Sequence, residues 1–87
     1  MTKKNKFDYL NIETIDLHGL HYNDVKRSLT RKIEMYWGSK LILKIITGNN
    51  IKMKNIVTNL LDEYTLDYKI GGDIGINNGM MIVEMKG

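Results

Sequence analysis

A chain of 87 residues has room for one domain with a single hydrophobic core, and without cysteine it can form neither a disulfide nor a thiolate zinc site. A hydrophobic fraction of 43% and a charged fraction of 26% exclude a disordered chain and are typical of a globular protein. The formal net charge of +3 favours polyanionic partners only slightly, because a small basic excess also serves solubility.

The sequence predicts neither a membrane protein nor an exported one. Spanning a bilayer needs roughly 20 consecutive apolar residues, and no run approaches that length. The basic N-terminus, Met1 to Lys6, has no apolar stretch behind it and therefore does not resemble a signal peptide. We expect a basic, flexible lead-in over residues 1–10, one domain over residues 11–87, a cytoplasmic location and a monomer.

The first predicted strand covers about Asn11 to Leu17 and leads into Gly19, which breaks the apolar run. Because successive strand side chains alternate between faces, Asp16 and His18 share one face where the strand ends. A helical period then runs from about Tyr22 to Trp37, with apolar residues at steps of three and four.

The second half of the chain repeats the strand-helix pattern. Leu41 to Ile46 is nearly continuous in apolar residues, which predicts a central strand covered on both faces, or nearly so. Thr47-Gly48-Asn49-Asn50 ends that strand, and a second helix is predicted from about Ile51 to Tyr64. A short strand, a loop rich in turn formers and a final strand follow at about Asp67–Ile70, Gly71–Gly79 and Met80–Met85.

The predicted β-α-β-α-β-β order defines an α/β two-layer sandwich with about four strands and two helices. Two strand-helix-strand units favour parallel strands joined by right-handed crossovers. The final strand follows a loop without a helix, so we expect it to run antiparallel to its predecessor, as in a hairpin. The sheet is therefore expected to be mixed.

Two polar turns are expected to meet at one edge of this sheet. The carboxyl ends of parallel strands share an edge, where open α/β sheets bind ligands. The turn over residues 47–50 leads into a helix whose free N–H groups and positive dipole end attract phosphate. Lys52 and Lys54 near that helix start either contact phosphate or reflect a lysine-rich composition, and the sequence favours neither reading.

Histidine exchanges a proton readily near neutral pH, and Asp16 is placed to orient His18. Cleavage of RNA by its own 2′-OH needs a proton acceptor, a proton donor and stabilisation of phosphate charge, which His18, Asp16 and the second turn can supply. Alternatively, Asp16 holds a divalent cation such as magnesium that activates water. Spacing alone favours a third interpretation, in which the pair makes structural hydrogen bonds to nearby loops. His21 is expected at the helix start, with a phosphate contact as its second possible role.

Ile15-Asp16-Leu17-His18-Gly19 resembles the leucine-aspartate-leucine-histidine-glycine signature of the Smr (small MutS-related) domain family. The family's second motif, threonine or histidine followed by glycine, any residue and glycine, is matched by Thr47-Gly48-Asn49-Asn50 except at its last position. A glycine-rich loop before the last strand also fits, and the resemblance covers about Ile12 to Met85. Asparagine tolerates the left-handed backbone conformation better than most residues, so we expect the turn to persist with Asn50.

The resemblance implies a fold like the C-terminal domain of translation initiation factor three. It also implies nucleic-acid binding and, in many members, endonuclease activity on RNA or nicking of DNA, with little or no dependence on metal. Cleavage is implied for Asp16 and His18, and substrate binding for Thr47 and Gly48. Together with the turn and helix-start positions above, the residues expected to contact nucleic acid are Gly19, His21, Thr47, Gly48, Asn49, Asn50, Lys52 and Lys54.

Three functions compete at this point. The first is a small endonuclease that favours RNA over DNA and requires no cofactor, with His18 as general acid/base oriented by Asp16. The second is a non-catalytic RNA- or DNA-binding module that docks onto a nucleoprotein partner, which Asn50 in place of the family glycine motivates. The third, a protein–protein adaptor, needs an exposed apolar patch that the sequence does not display.

Overall fold

The computed structural model describes residues 11–71 and 79–85 of the chain. The elements in these residues are β1, Asn11–Asp16; α1, Tyr22–Tyr36; β2, Leu41–Ile46; α2, Ile51–Glu63; β3, Tyr68–Ile70; and β4, Met80–Met85. The predicted lead-in and most of the predicted loop before the last strand lie outside the described residues. The expected four-stranded mixed sheet with two helices is confirmed.

The four strands lie in the order β1-β2-β4-β3. β1 and β2 are parallel, with Asn11 opposite Leu41 and Asp16 opposite Ile46. β4 lies between β2 and β3 and is antiparallel to both, so the last two strands pair as expected. Because β1 and β2 are parallel and in register, their carboxyl ends lie at the same edge of the sheet.

The hydrophobic core lies on one face of the sheet, where both helices pack. Alternate residues of β2 are buried, beginning at Leu41, while the residues between them are half-buried. α1 buries residues four apart, which form one stripe along the helix. The core residues that the helices contribute are Val25, Leu29, Ile33, Met53, Val57, Leu60 and Leu61.

The two helices contain 15 and 13 residues. Roughly 20 residues are needed to span a bilayer. Within the described parts of the chain, no helix combines the length and the apolar character that crossing a membrane requires.

The opposite face of the sheet is only partly covered, so the expectation that β2 is covered on both faces, or nearly so, holds for the core face and only in part for the other face. Ile42, Lys44 and Ile46 on this face are half-buried, whereas Ile12 on β1 is 63% exposed. The sequence misled because isoleucine at a half-buried strand position cannot be told from isoleucine in a core. By strand register, the open face comprises Ile12, Thr14, Asp16, Ile42, Lys44, Ile46, Lys69, Met80, Ile82 and Glu84. Apolar side chains are therefore partly exposed on this face, although the sequence did not display an exposed apolar patch.

We expect Leu29→Ala to lower the free energy of unfolding by about 2–5 kcal/mol, because it leaves a cavity in the core. Leu29 is 0% exposed, whereas Met35 on the same helix is 64% exposed. Met35→Ala should therefore change the stability by no more than about 0.5 kcal/mol. Urea denaturation of both variants measures the difference, and equal losses would contradict the one-sided core.

Candidate functional site

The exits of β1 and β2 adjoin, as the sequence predicted. The main-chain N–H of Leu17 donates to the carbonyl of Ile46 at 2.8 Å, which continues the parallel pairing past the end of β1. A Cβ atom placed on Gly48 would lie 3.7 Å from the Cβ atom of His18. Gly48 also has a φ of +69°, a conformation that favours glycine. His18 therefore lies directly beside the second turn.

Asp16 and His18 form a hydrogen-bonded pair at this edge. Oδ1 of Asp16 accepts from the main-chain N–H of His18 at 3.1 Å and lies 2.8 Å from Nδ1 of the same residue. A carboxylate only accepts hydrogen bonds, so Nδ1 carries the proton in this contact and Nε2 is the basic nitrogen of the neutral ring. The side chains of His18 and Asp16 are 68% and 54% exposed. Both are therefore open to a ligand.

The carboxyl group of Asp16 has a pKa below its ordinary value. The main cause is the hydrogen bond from the His18 side chain. Desolvation is the next largest effect and raises the pKa, while the main-chain hydrogen bond and the charge of His18 lower it by smaller amounts. Asp16 is consequently ionised at neutral pH. An ionised acceptor holds the imidazole in one orientation and one tautomer.

The turn after β1 positions the start of α1. Gly19 has a φ of +86°, and the N–H of Leu20 donates to the carbonyl of Leu17 at 3.1 Å. His21 occupies the N-cap position of α1, but its side chain makes no capping hydrogen bond. The His21 side chain is exposed at the helix start, where the sequence placed it.

Thr47 faces inward and shapes the second turn. It is 1% exposed, and the single proton of its hydroxyl is shared between the carbonyls of Gly48, 2.9 Å away, and of Gly79, 3.3 Å away. The main-chain N–H groups of Thr47 and Gly48 both donate to the carbonyl of Gly79, at 2.8 and 3.0 Å. These two amides are thus used within the protein, and the anion donors of the second turn must come from residues further along it.

Asn50 is the N-cap residue of α2, and its side chain makes two hydrogen bonds that glycine cannot make. Oδ1 accepts from the N–H of Met53 at 3.1 Å, and Nδ2 donates to the hydroxyl of Tyr22 at 2.6 Å. The backbone of Asn50 has φ −81° and ψ 113°. The turn persists with Asn50 as expected, but tolerance of the left-handed conformation is not the reason, because the backbone there is extended. Asn50 instead links the starts of the two helices.

The first turn of α2 supplies the remaining donors. The N–H groups of Ile51 and Lys52 have no acceptor within the helix, because a first turn lacks one. Nζ of Lys52 lies 4.6 Å from the centre of the Tyr22 ring. Lys54 is half-buried, and its N–H donates to the carbonyl of Asn50 at 3.0 Å. Lys52 thus contacts Tyr22 through its side chain, whereas Lys54 contacts Asn50 through its main chain.

A cleft of ≈ 370 Å³ opens beside His18. The residues that line it are His18, Lys44, Ile46, Gly48, Asn49, Gly79 and Met80. The sequence did not point to Lys44. The pattern that could have identified it is a single charged residue within the apolar run of β2, at a position whose side chain faces away from the core. Within the described residues, no group of three or more histidine, cysteine, aspartate or glutamate side chains is arranged to hold a metal ion.

Comparison with known proteins adds no family assignment. No protein-family model matches the chain, and no curated protein or solved structure matches it either. The resemblance to Smr domains therefore stays a prediction that depends on two short motifs and on the order of the elements.

We expect the hydrogen bond between Asn50 and Tyr22 to appear as a coupling energy. Tyr22→Phe should lower the free energy of unfolding by about 0.5–1.5 kcal/mol, because it removes the hydroxyl acceptor. The same substitution should cost little in an Asn50→Gly background, where the donor is already gone. Urea denaturation of the two single variants and the double variant measures the coupling. A full Tyr22→Phe effect in both backgrounds would contradict this contact.

We expect His18→Ala to raise the pKa of Asp16 toward its ordinary value, because the hydrogen bond that lowers it is lost. In the native protein, the lowered pKa favours folding above the unfolded-state pKa, and this contribution disappears as the pH falls through the folded-state pKa. Carboxyl carbon NMR during an acid titration measures the pKa of Asp16 in the native protein and in His18→Ala. His21→Ala is the control and should leave the titration of Asp16 unchanged; an unchanged pKa in His18→Ala would contradict the assigned cause.

Proposed function

We propose that this chain is an Smr-like endonuclease that cleaves RNA in preference to DNA, with His18 as general acid/base oriented by Asp16. The observation that carries the proposal is the 2.8 Å contact between Nδ1 of His18 and Oδ1 of Asp16. The contact lies on an exposed edge of the sheet, beside the turn at Gly48. It leaves Nε2 as the nitrogen that can accept a proton from a substrate.

The preference for RNA follows from the chemistry of a single imidazole. Nε2 of His18 takes the proton of a 2′-OH, and the 2′-oxygen attacks the adjacent phosphorus as the bond from phosphorus to the 5′-oxygen breaks. The imidazolium then returns a proton to the leaving 5′-oxygen, directly or through water. The products are a 2′,3′-cyclic phosphate and a 5′-hydroxyl. DNA lacks the 2′-OH and therefore cannot follow this route.

Charge that develops on the phosphate needs donors that are already in place. The start of α2 supports this role, because the N–H groups of Ile51 and Lys52 are unused within the helix and its dipole attracts an anion. The ammonium group of Lys52 adds a positive charge near the same helix start. Thr47 serves the site indirectly, because its hydrogen bonds to Gly79 hold the turn against the last strand.

Asp16 fits the role of an orienting carboxylate better than that of a magnesium ligand. Its Oδ1 atom already accepts two hydrogen bonds from His18, one from the ring and one from the main chain. A cation at this oxygen would have to displace or share them. We therefore propose a reaction that requires no metal cofactor, with RNA as the partner molecule.

The second candidate function is a nucleic-acid-binding module without chemistry. It is favoured by the hydrogen bonds at the second turn, since the N–H groups of Thr47 and Gly48 are not available to stabilise the charge that would develop on a phosphate during cleavage. Among the described residues that line the cleft, His18 is the one imidazole, and none carries a carboxylic acid. A single imidazole must then act as both base and acid, which is a demanding arrangement for catalysis.

We expect His18→Ala to reduce RNA cleavage by about 100-fold or more, the usual contribution of a general acid/base. End-labelled structured RNA, incubated with and without EDTA, should give the same rate and cyclic-phosphate ends; a supercoiled plasmid lacks the 2′-OH and should not be nicked by this route. Met35→Ala, on an exposed part of α1, is the control and should keep the native rate.

Equal degradation by the native protein and His18→Ala would overturn the assignment, because the activity would then come from a contaminant or another site. Loss of cleavage in EDTA would instead favour a divalent cation at Asp16. Salt-sensitive RNA binding with no product after long incubation would support the binding module.

A further inference from the structure

The cleft beside His18 continues onto the open face of the sheet. Lys44 precedes Ile46 by two residues on β2, so both side chains lie on this face, about 7 Å apart along the strand. His18 and Gly48 line one end of the cleft, and Lys44 lines it from the sheet. The cleft thus joins the candidate catalytic edge to Lys44 on the open face of the sheet, opposite the face on which α2 packs.

Lys44 forms no ion pair with any described residue, although Asp16 and Glu84 lie diagonally from it on the open face. The two ion pairs described there join His18 to Asp16 and Arg27 to Asp24. The partners of Lys44 in the strand register are Thr14 on β1 and Ile82 on β4, and neither carries a charge. Lys44 is half-buried and lines the cleft, as expected of a lysine whose stem packs along a surface while its ammonium group stays in solvent. A bound anion would supply the missing partner.

The floor of the cleft between the two ends is apolar. Ile46 and Met80 are opposite each other in the strand register and lie on the open face. Ligand sites typically combine an apolar lining with a few well-placed polar groups. The cleft has a volume of ≈ 370 Å³ and is lined by a histidine, a lysine and the apolar side chains of Ile46 and Met80. These groups suit the binding of one nucleotide.

We propose that Lys44 binds the phosphate next to the one held at His18, with the nucleoside between them on Ile46 and Met80. This inference rests on the proposed function, since it assumes that a nucleic-acid strand lies at His18. The strand then crosses the edge of the sheet from the start of α2, near Lys52, to the open face. Lys44 is a binding residue in this arrangement, and it takes no part in proton transfer.

Lys69 provides a matched control on the same face. It is the register partner of Ile82, so it lies in the same row as Lys44 but two strands away. Its surroundings differ, because Lys69 lines a separate cleft together with Asp67 and Glu84. Two carboxylates there disfavour a polyanion. Loss of the Lys69 charge should therefore leave binding unchanged.

The test measures the binding of a short fluorescent RNA to Lys44→Gln and Lys69→Gln over a range of salt concentrations, each in a His18→Ala background that prevents cleavage. The logarithm of the association constant falls linearly with the logarithm of the salt concentration, and loss of one phosphate contact should make this slope shallower by about 0.7. We expect this reduction for Lys44→Gln and not for Lys69→Gln, while Lys44→Arg should restore the slope. With the histidine present, Lys44→Gln should raise KM and leave kcat within about twofold.

The outcomes separate this inference from the proposed function. A reduced slope in Lys44→Gln alone, in a protein that never cleaves RNA, would uphold the phosphate contact and overturn the nuclease. Equal slopes for Lys44→Gln and Lys69→Gln would overturn the phosphate contact even if cleavage is observed. The absence of salt-sensitive RNA binding would also overturn the phosphate contact. Lys44→Arg keeps the positive charge. If that variant is folded and still shows the reduced slope, the result also counts against the phosphate contact at Lys44.

Discussion

Parallel pairing of β1 with β2 is the constraint on which the candidate site depends. Because the two strands run in the same direction and in register, both end at one edge, and the bond from Leu17 to Ile46 holds the exits together. Asp16 and His18 come from the first exit, and Gly48 comes from the second. An antiparallel pair would have placed these turns at opposite edges of the sheet.

Most of the fold could be predicted from the sequence because the strong signals are local. The apolar period of α1 and the glycine at its end are short-range patterns, and β2 was predicted with the bounds that the structure has. The position of β4 between β2 and β3 depends on pairing across the sheet, which no local pattern encodes. The half-buried second face of β2 was missed for the same reason, since coverage depends on what the rest of the chain leaves open.

The candidate site was predictable in its residues and only partly in their roles. Alternation along a strand places Asp16 and His18 on one face, so their contact could be anticipated. The inward hydrogen bonds of Thr47 could not be, because its acceptor, Gly79, is 32 residues away in the sequence. Asn50 shows the same limit: its bond to Tyr22 crosses 28 residues and turns an apparent departure from a glycine pattern into a link between two helices.

The strand order also decides which border of the sheet is open to pairing. β1 and β3 are the outer strands, and β3 is only three residues long. β1 has six residues, five of them exposed, and within the described residues its outer side has no strand beside it. Unpaired strand borders invite association with other chains, and charged side chains oppose it. Glu13 and Asp16 place two negative charges on this strand, and such charges oppose pairing with another chain, so the carboxylate beside His18 has a physical consequence beyond the candidate site.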